Sequence, residues 1–221
     1  MNLDGSLKIT VMEHNWMLLP EKALFWRDQN TLVVSDLHLG KSGHFRKHGI
    51  AIPQSVNTSN IQKLNKLIRQ LKPARIIFLG DLFHSQYNAE FEDFKDWRKA
   101  NAEIEMILTL GNHDIISQHE FEKTGLECVN TYKVGPFTFM HDEQDAADKG
   151  SFSVSGHIHP AVKLKTKGRQ SIYTPCYFVG ESKILLPAFG TFTGTFLVKP
   201  SQNEMIYAIV DQEVINISTI I

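Results

Sequence analysis

Five short clusters of carboxylate, imidazole and amide side chains each follow directly after a run of apolar residues. Asp36-Leu37-His38 follows TLVVS, Gly80-Asp81 follows RIIFL, and Gly111-Asn112-His113-Asp114 follows MILTL. His141 follows FTFM, and Gly156-His157-Ile158-His159 follows FSVS. Apolar runs of this length predict buried strands, and ligands of α/β sheets bind at the carboxyl ends of the strands. We therefore expect the five clusters to meet at one edge of the fold.

The residue types in these clusters suit divalent transition-metal ions. Carboxylates, imidazoles and one amide occur together without a thiolate, which favours Mn²⁺, with Fe or Zn²⁺ as alternatives, and is too rich in imidazole for Mg²⁺ or Ca²⁺. The set is too large for one ion and suits two ions about 3.5–4 Å apart that share a carboxylate. The predicted metal ligands are Asp36, His38, Asp81, Asn112, His141, His157 and His159.

The spacing within the clusters predicts how the side chains converge. In Asp36-x-His38 and His157-x-His159, alternate residues of an extended segment point to the same side, so each pair is expected to meet at one centre. The glycines before Asp81, Asn112 and His157 are expected to permit a sharp turn at the strand end. A single His or Asp at a strand end is usually a cap or a surface group, so the prediction depends on all five clusters together.

The order DxH, GD, GNHD, H, GHxH resembles the calcineurin-like metallophosphoesterase superfamily, from the strand before Asp36 to at least His159. The strings LLPEKALFW, SDLHLGK, FRKHGIAIP, GDLFHS and LPAFGTFTG resemble one bacterial subgroup, the ligase-associated PdeM-type metallophosphoesterases. The resemblance implies an α/β fold, a four-layer α/β/β/α sandwich of two mixed sheets. It also implies a DNA endonuclease of DNA repair that is linked with DNA ligase and helicase partners.

The resemblance further implies a role for each site residue. The residues implied for the first metal are Asp36, His38 and His159, and those for the second are Asn112, His141 and His157. Asp81 is the implied bridge between the two ions. His113 is the implied proton donor to the departing oxygen, with Asp114 orienting it; a structural role behind the ligands is the alternative for His113.

Two departures from the family bear on the substrate. Many relatives carry another acidic residue shortly after GD, where this chain has Leu82-Phe83-His84, and protein phosphatases have an arginine before GNH, where it has Leu110. Arginine forks are the natural clamp for a phosphomonoester, so their absence favours a phosphodiester. Three alternatives stay open: a phosphomonoesterase, a small-nucleotide phosphodiesterase, and a catalytically weak scaffold that binds other proteins.

Basic residues beside the clusters are candidates for substrate contact. Lys41 and Arg46 follow the first cluster and are predicted to bind the phosphodiester backbone. His84 is a third candidate, with packing beneath the second cluster as its alternative. Three lysines between Lys163 and Lys167 alternate along a predicted strand, where a solubilising hairpin is the favoured interpretation. Tyr173 is expected in the core rather than in a stacking platform.

The elements that position the clusters are predicted from hydrophobic spacing. Apolar residues from Ile61 to Leu71 recur at helical intervals, and Phe91, Phe94 and Trp97 predict a second helix at roughly 88–102. Short strands dominate the second half of the chain. One domain over residues 1–221 is expected.

Composition limits the possible functions. The chain has 221 residues, 42% of them hydrophobic and 21% charged, as in globular proteins. With a net charge of −1, any binding of a polyanion has to depend on a local patch. Two cysteines outside any CxxC pattern, no signal-peptide pattern and no apolar run of about 20 residues predict a cytoplasmic protein without a membrane partner.

Overall fold

The computed structural model describes residues 3–40, 55–84, 89–145, 150–165, 171–191 and 193–218, and the side chains of 55–58, 89 and 165 are not described. Lys41, Arg46 and the tip of the predicted basic hairpin therefore lie outside the described residues. Within these residues the chain forms two β-sheets and three α-helices. The helices are α1 (Ser55–Leu71), α2 (Ala89–Ala100) and α3 (Gln118–Glu122).

Both sheets mix parallel and antiparallel strands. The first has the spatial order β1 (Leu7–Val11), β2 (His14–Leu19), β3 (Ala23–Trp26), β4 (Thr31–Ser35), β5 (Arg75–Leu79), β6 (Glu105–Thr109) and β7 (Glu127–Val129). The second has the order β14 (Phe196–Leu197), β11 (Pro160–Lys165), β12 (Ser171–Val179), β13 (Lys183–Leu185), β10 (Phe152–Ser155), β9 (Phe137–Met140) and β8 (Thr131–Val134). Two further strands, β15 (Met205–Val210) and β16 (Glu213–Asn216), join it through β12.

Parallel pairing brings the carboxyl ends of the strands that precede the polar clusters to one edge of each sheet. In the first sheet β4, β5 and β6 are parallel, and Ser35, Leu79 and Thr109 lie side by side as their last residues. In the second sheet β9 and β10 are also parallel. The clusters of polar residues begin directly beyond these ends, so the predicted placement at the carboxyl ends of strands is confirmed.

Alternation along the buried strands separates the core into layers. Val33 points between the two sheets, whereas Leu32 and Val34 point to the helices. This two-sided burial explains why TLVVS is apolar throughout. The layer between the sheets is filled by large side chains such as Trp16 and Tyr177.

The predicted α/β fold of two mixed sheets is confirmed. Among the described residues all three helices contribute to the cluster on the outer face of the first sheet, including Phe91, Phe94 and Trp97 of α2. The outer face of the second sheet carries a smaller apolar cluster around Cys176 and Ile206. None of the helices in the described ranges is long and apolar enough to cross a bilayer.

Some elements differ from the sequence prediction. The apolar pattern did not reveal the short β7, β8 and α3, which lie between the third and fourth clusters. Tyr173 was expected in the core, but 56% of its surface is exposed. It lies at the end of β12 that pairs only with β11, beyond the part of the strand that pairs with β15.

Candidate metal centre

The first group of predicted ligands is largely buried. Asp36 and His38 follow β4, and His159 directly precedes β11. Each offers a ligand atom, and these atoms all lie within 4.8 Å of one another. The closest approach joins His159 Nε2 and Asp36 Oδ1, which are 3.2 Å apart. These three side chains can therefore surround one ion.

The second group is more open to solvent. His141 Nε2 lies 3.0 Å from Asn112 Oδ1 and 2.9 Å from His157 Nδ1. His141 is buried, whereas Asn112 is exposed. Ligands that bind one ion at about 2.1 Å and roughly right angles lie about 3 Å from each other, so this spacing suits a transition metal.

Asp81 lies between the two groups. Its Oδ2 is 3.8 Å from His38 Nε2, and its Oδ1 is 3.6 Å from His141 Nε2. Ligand atoms of Asp36, Asp81 and His141 also lie within 4.8 Å of one another. The two oxygens of Asp81 therefore face different groups, which is the arrangement that a carboxylate shared by two ions requires.

Backbone hydrogen bonds orient His141 and His159 in a way that suits the binding of cations. His141 Nδ1 lies 3.1 Å from the Leu79 carbonyl oxygen, and His159 Nδ1 lies 2.9 Å from that of Gly194. A carbonyl only accepts, so each neutral ring carries its hydrogen on Nδ1 and presents a lone pair at Nε2. This support from a carbonyl is the common arrangement behind metal-binding histidines.

Both lone pairs face oxygen atoms that also accept hydrogen bonds. His141 Nε2 faces the amide oxygen of Asn112, and His159 Nε2 faces the carboxylate of Asp36. Among the described residues, neither Asp36 Oδ1 nor His159 Nε2 has a hydrogen-bond partner, although both atoms are buried. Two acceptors repel each other unless a positive charge lies between them, so the donor set fits two cations.

The pKa values of Asp36 and His159 also indicate that positive charge is favoured at the first group. Burial alone raises the pKa of Asp36, but the imidazoles of His159, His141 and His38 outweigh it and leave the pKa below its ordinary value. Burial alone lowers the pKa of His159, but Asp36 and the Gly194 carbonyl outweigh it and raise the pKa. The buried carboxylate thus stays ionised and stabilises a cation beside it.

Most of the predicted ligands have left-handed backbone. The φ angles are 53° at Asp36, 48° at His38, 48° at Asp81, 65° at His157 and 50° at His159. The expected extended backbone of the Asp36-x-His38 and His157-x-His159 pairs was therefore wrong. Asp36 and His38 reach one group through a turn, whereas His157 and His159 reach different groups. Such angles cost non-glycine residues about 1–3 kcal/mol each and are typical of functional sites.

The loop that contains the LPAFGTFTG string supports the turn after β4. The Phe189 N–H donates to the Ser35 carbonyl at 2.8 Å, and the Gly190 N–H donates to the Asp36 carbonyl at 3.1 Å. Lys63 Nζ of α1 donates to the Phe189 carbonyl at 2.5 Å and lies 3.6 Å from the centre of the Phe189 ring. These contacts fix the backbone that carries Asp36.

The glycines before three ligands are required mainly by space. A Cβ on Gly80 would lie 2.3 Å from His141 Nδ1, one on Gly111 would lie 2.3 Å from Asp81 Oδ1, and one on Gly156 would lie 2.5 Å from Asp36 Oδ2. Only Gly80 also has a positive φ, of 67°. The predicted turn role therefore holds for Gly80, whereas Gly111 and Gly156 let ligand side chains approach the backbone.

His113 lies at the exposed border of the centre. Its backbone N–H donates to Asp81 Oδ1 at 2.9 Å, which ties it to the position between the two groups. Its ring lies 5.8 Å from that of His38 and 4.4 Å from that of His84, measured between ring centroids. His84 therefore lies beside His113 and His38 at the site.

Asp114 has other partners than the sequence suggested. Its carboxylate accepts from the backbone N–H of Phe83 at 3.0 Å and of Gly111 at 2.9 Å. Burial raises its pKa to about 7, against the opposing effect of these two N–H groups. Within the described contacts Asp114 does not bond the His113 ring. It connects the loops after β5 and β6 and so positions Asp81 and Asn112.

An open cavity adjoins the second group, and two acidic residues line part of its wall. It has a volume of about 530 Å³. Its wall includes Asn112, His141 and His157, together with Asp142 and Asp145. Asp142 Oδ2 lies 3.6 Å from His157 Nε2. The second group is thus reachable from solvent, across a border that repels anions.

Known proteins resemble this chain in sequence and in fold. The family model described as calcineurin-like phosphoesterase matches residues 30–177. A crystal structure of the nuclease MPE from Pseudomonas putida superimposes with a TM-score of 0.81 at 26% identity, and the match covers 96% of this chain and 99% of that one. The phosphoesterase Yfce from E. coli gives a TM-score of 0.44 at 14% identity, covering 84% of this chain and 96% of that one. No curated protein sequence matches.

The chain belongs to the calcineurin-like phosphoesterase family. It is a metal-dependent phosphoester hydrolase, as the resemblance of its motifs implied. The family binds two divalent metal ions. The described residues contain two overlapping sets that could hold a metal ion: Asp36, His38 and His159, and Asp36, Asp81 and His141.

Proposed function

We propose that this chain is a manganese-dependent nuclease that hydrolyses phosphodiesters in DNA. The support is threefold: the two groups of ligands, the sequence resemblance to ligase-associated enzymes, and the similarity of nearly the whole chain to a nuclease. A role in cytoplasmic DNA repair beside a DNA ligase and a helicase is part of this proposal. It is motivated by the resemblance alone.

The proposed ligands keep the roles that the family resemblance implied. Asp36, His38 and His159 hold one ion, and Asn112, His141 and His157 hold the other, with Asp81 shared between them. Two divalent ions bound there supply Lewis-acid activation of the phosphodiester and of the attacking water. The chain's own contribution is to fix the ligands in place: backbone carbonyls orient His141 and His159, and close glycine contacts confine His141, Asp81 and Asp36.

His113 is the proposed proton donor. It is exposed at the border of the centre, and its backbone is fixed to Asp81. A proton from its imidazole neutralises the departing alkoxide of a nucleic-acid strand. The ring of His84 packs against it at 4.4 Å and limits its orientation, and we retain His84 as a candidate for substrate contact. Lys41 and Arg46 also stay predicted substrate contacts.

One observation supports the proposal most strongly: two histidine lone pairs face two oxygen acceptors, at 3.0 and 3.2 Å. The test is to strip the protein of metal, add back Mn²⁺, Zn²⁺ or Mg²⁺ separately, and measure hydrolysis of a DNA oligonucleotide, a p-nitrophenyl diester and a p-nitrophenyl monoester. We expect Mn²⁺ to restore the highest activity, with both diesters cleaved faster than the monoester. Faster monoester turnover would overturn the assignment of substrate.

The proton donor is tested by His113→Ala, with His119→Ala of α3 as a matched exposed control. General acids contribute about 10²–10⁴-fold, so DNA cleavage should fall at least 100-fold while metal content stays unchanged. Hydrolysis of the p-nitrophenyl diester should fall less, because its leaving group is stable without a proton. Loss of metal with unchanged activity per bound ion would instead make His113 structural.

A further inference from the structure

One face of the second sheet combines lysines with exposed apolar side chains. Lys163 of β11 lies directly opposite Tyr173 of β12, so their side chains stand on the same face. Leu197 of β14 pairs with Ala161, two residues before Lys163, and shares this face by alternation. A groove beside it is lined by Lys163, Leu197 and Lys199 among others. We name Lys163, Tyr173, Leu197 and Lys199 the Tyr173 face.

The Tyr173 face carries uncompensated positive charge beside an accessible ring. Tyr173 is 56% exposed and Leu197 is 45% exposed. Lys163 Nζ lies 5.6 Å from the centre of the Tyr173 ring. Among the residues that the structure describes, neither Lys163 nor Lys199 forms an ion pair. The exposed ring of Tyr173 beside these lysines is not explained by the interpretation of β11 and β12 as a solubilising hairpin.

This face is continuous with the metal centre. His159 immediately precedes β11, and its carbonyl accepts from the Phe196 N–H at 3.0 Å, where β14 joins the sheet. Pro175, two residues beyond Tyr173 on the same face, lines one small cavity together with His159. Lys163 lies four residues along the strand from His159, which corresponds to about 13 Å.

The border of the centre beside the second group has the reverse charge. There Asp142 and Asp145 line the cavity beside the second group. A polyanion whose phosphate lies on the metal centre is repelled by these carboxylates and attracted by Lys163 and Lys199. The electrostatics thus direct the chain of phosphates along β11 and away from Asp142.

We propose that the Tyr173 face binds the nucleic-acid strand that flanks the cleaved phosphodiester. Lys163 and Lys199 contact its phosphates, and Tyr173 stacks on one of its bases. A base inside a duplex offers no free face for stacking, so the bound segment is single-stranded. The inference rests on the proposed nuclease function and adds to it where the strand lies.

The test compares binding and cleavage in four variants. Lys163→Gln/Lys199→Gln and Tyr173→Ala alter the face, whereas Lys8→Gln and Ile172→Ala are the controls. Lys8 is an exposed strand lysine of β1, and Ile172 is 54% exposed next to Tyr173 but points to the other face of β12. Binding of a phosphorothioate single strand, which resists cleavage, is followed by fluorescence anisotropy in Mn²⁺-loaded protein. Hydrolysis of the p-nitrophenyl diester reports on the metal centre alone.

The double lysine variant should bind at least tenfold more weakly and reduce the slope of log affinity against log salt by about 1.4, because each phosphate contact contributes about 0.7. Tyr173→Ala should bind roughly tenfold more weakly, as expected for loss of one base stack. Both should hydrolyse the small diester at the parent rate, and the two controls should match the parent in every measurement.

Several outcomes would overturn the inference. In the first, the lysine and tyrosine variants lose no more affinity for the single strand than the controls do. In the second, their rate on the small diester falls in parallel with binding. In the third, the parent protein binds no single strand. If the Tyr173 face is instead a dimer interface, light scattering should give a smaller mass for the Tyr173→Ala variant than for the parent. That result would also overturn the inference. The proposed function fails separately, if the parent hydrolyses the small diester but cleaves no DNA.

Discussion

The two groups of the candidate metal centre differ in charge and in burial. The group around Asp36 contains an ionised carboxylate and is largely buried, whereas the group around His141 has amide and imidazole ligands and opens to a cavity. A buried negative charge attracts a cation more strongly than amide and imidazole dipoles do. The Asp36 group should therefore bind its ion first and more tightly, and the His141 group should exchange its ion and receive the substrate.

Removing the negative charge of the Asp36 group should reduce activity more than any other change considered below. Asp36→Asn keeps the size of the side chain but removes the carboxylate that lies 3.2 Å from His159 Nε2. Activity should fall at least about 1,000-fold, since an ion that supplies several kcal/mol of transition-state stabilisation is lost. Metal analysis of the purified variant should find fewer than one ion per chain. Retention of two ions would contradict the difference between the groups.

Removing a neutral ligand of the second group should have a smaller effect. Asn112→Ala leaves the Asp36 group intact and deletes the oxygen that faces His141 Nε2 at 3.0 Å. Activity should fall about 100-fold at low Mn²⁺ and recover partly at high Mn²⁺, because only the weaker site is damaged. A titration should show one tight ion per chain. Loss of both ions would show that the groups bind metal as one unit.

Close packing around the first group can be tested without changing a ligand. Gly156→Ala places a Cβ at 2.5 Å from Asp36 Oδ2, whereas one on Gly180 finds its nearest atom at 3.4 Å. Gly156→Ala should lower Mn²⁺ affinity at least tenfold and destabilise the fold by about 1–3 kcal/mol. Gly180→Ala should leave both unchanged, as measured by metal titration and thermal unfolding. Equal behaviour of the two variants would exclude the close contact.

Lys63, which supports the loop behind the first group, predicts that the free energy of unfolding depends on pH. Burial, with Lys22 nearby, lowers the pKa of Lys63 to about 7 from 10.5, so the unfolded chain binds more protons between these values. The free energy of unfolding should therefore rise with pH from about 7 to 10.5, by at most about 1.4 kcal/mol per unit. Lys63→Met should flatten this rise relative to the parent in denaturant titrations. Parallel pH profiles would contradict the lowered pKa.

Much of the fold was predictable because apolar runs mark strands that are covered on both faces. TLVVS and RIIFL could be recognised in this way, and parallel pairing then places their polar successors at one edge. The short strands β7 and β8 were not predicted, because they have few buried positions. One domain over residues 1–221 stays a prediction.

The residue types of the candidate site were predictable, but their local geometry was not. Left-handed φ angles at Asp36 and His159 depend on tertiary contacts, such as the bond from Gly190 to Asp36, that spacing does not encode. The partners of Asp114 are backbone groups of two loops, which a motif of side chains does not reveal. Tyr173 was misplaced because an aromatic residue in a strand is usually buried.

The central claim is that seven side chains from two sheets bind a pair of divalent ions. Crystals of the protein grown with Mn²⁺ can be measured at the manganese absorption edge, where anomalous scattering locates each ion directly. Two peaks about 3.5–4 Å apart are expected, one beside Asp36, His38 and His159, the other beside Asn112, His141 and His157, with Asp81 in contact with both. A single peak, or none near Asp81, would contradict the account.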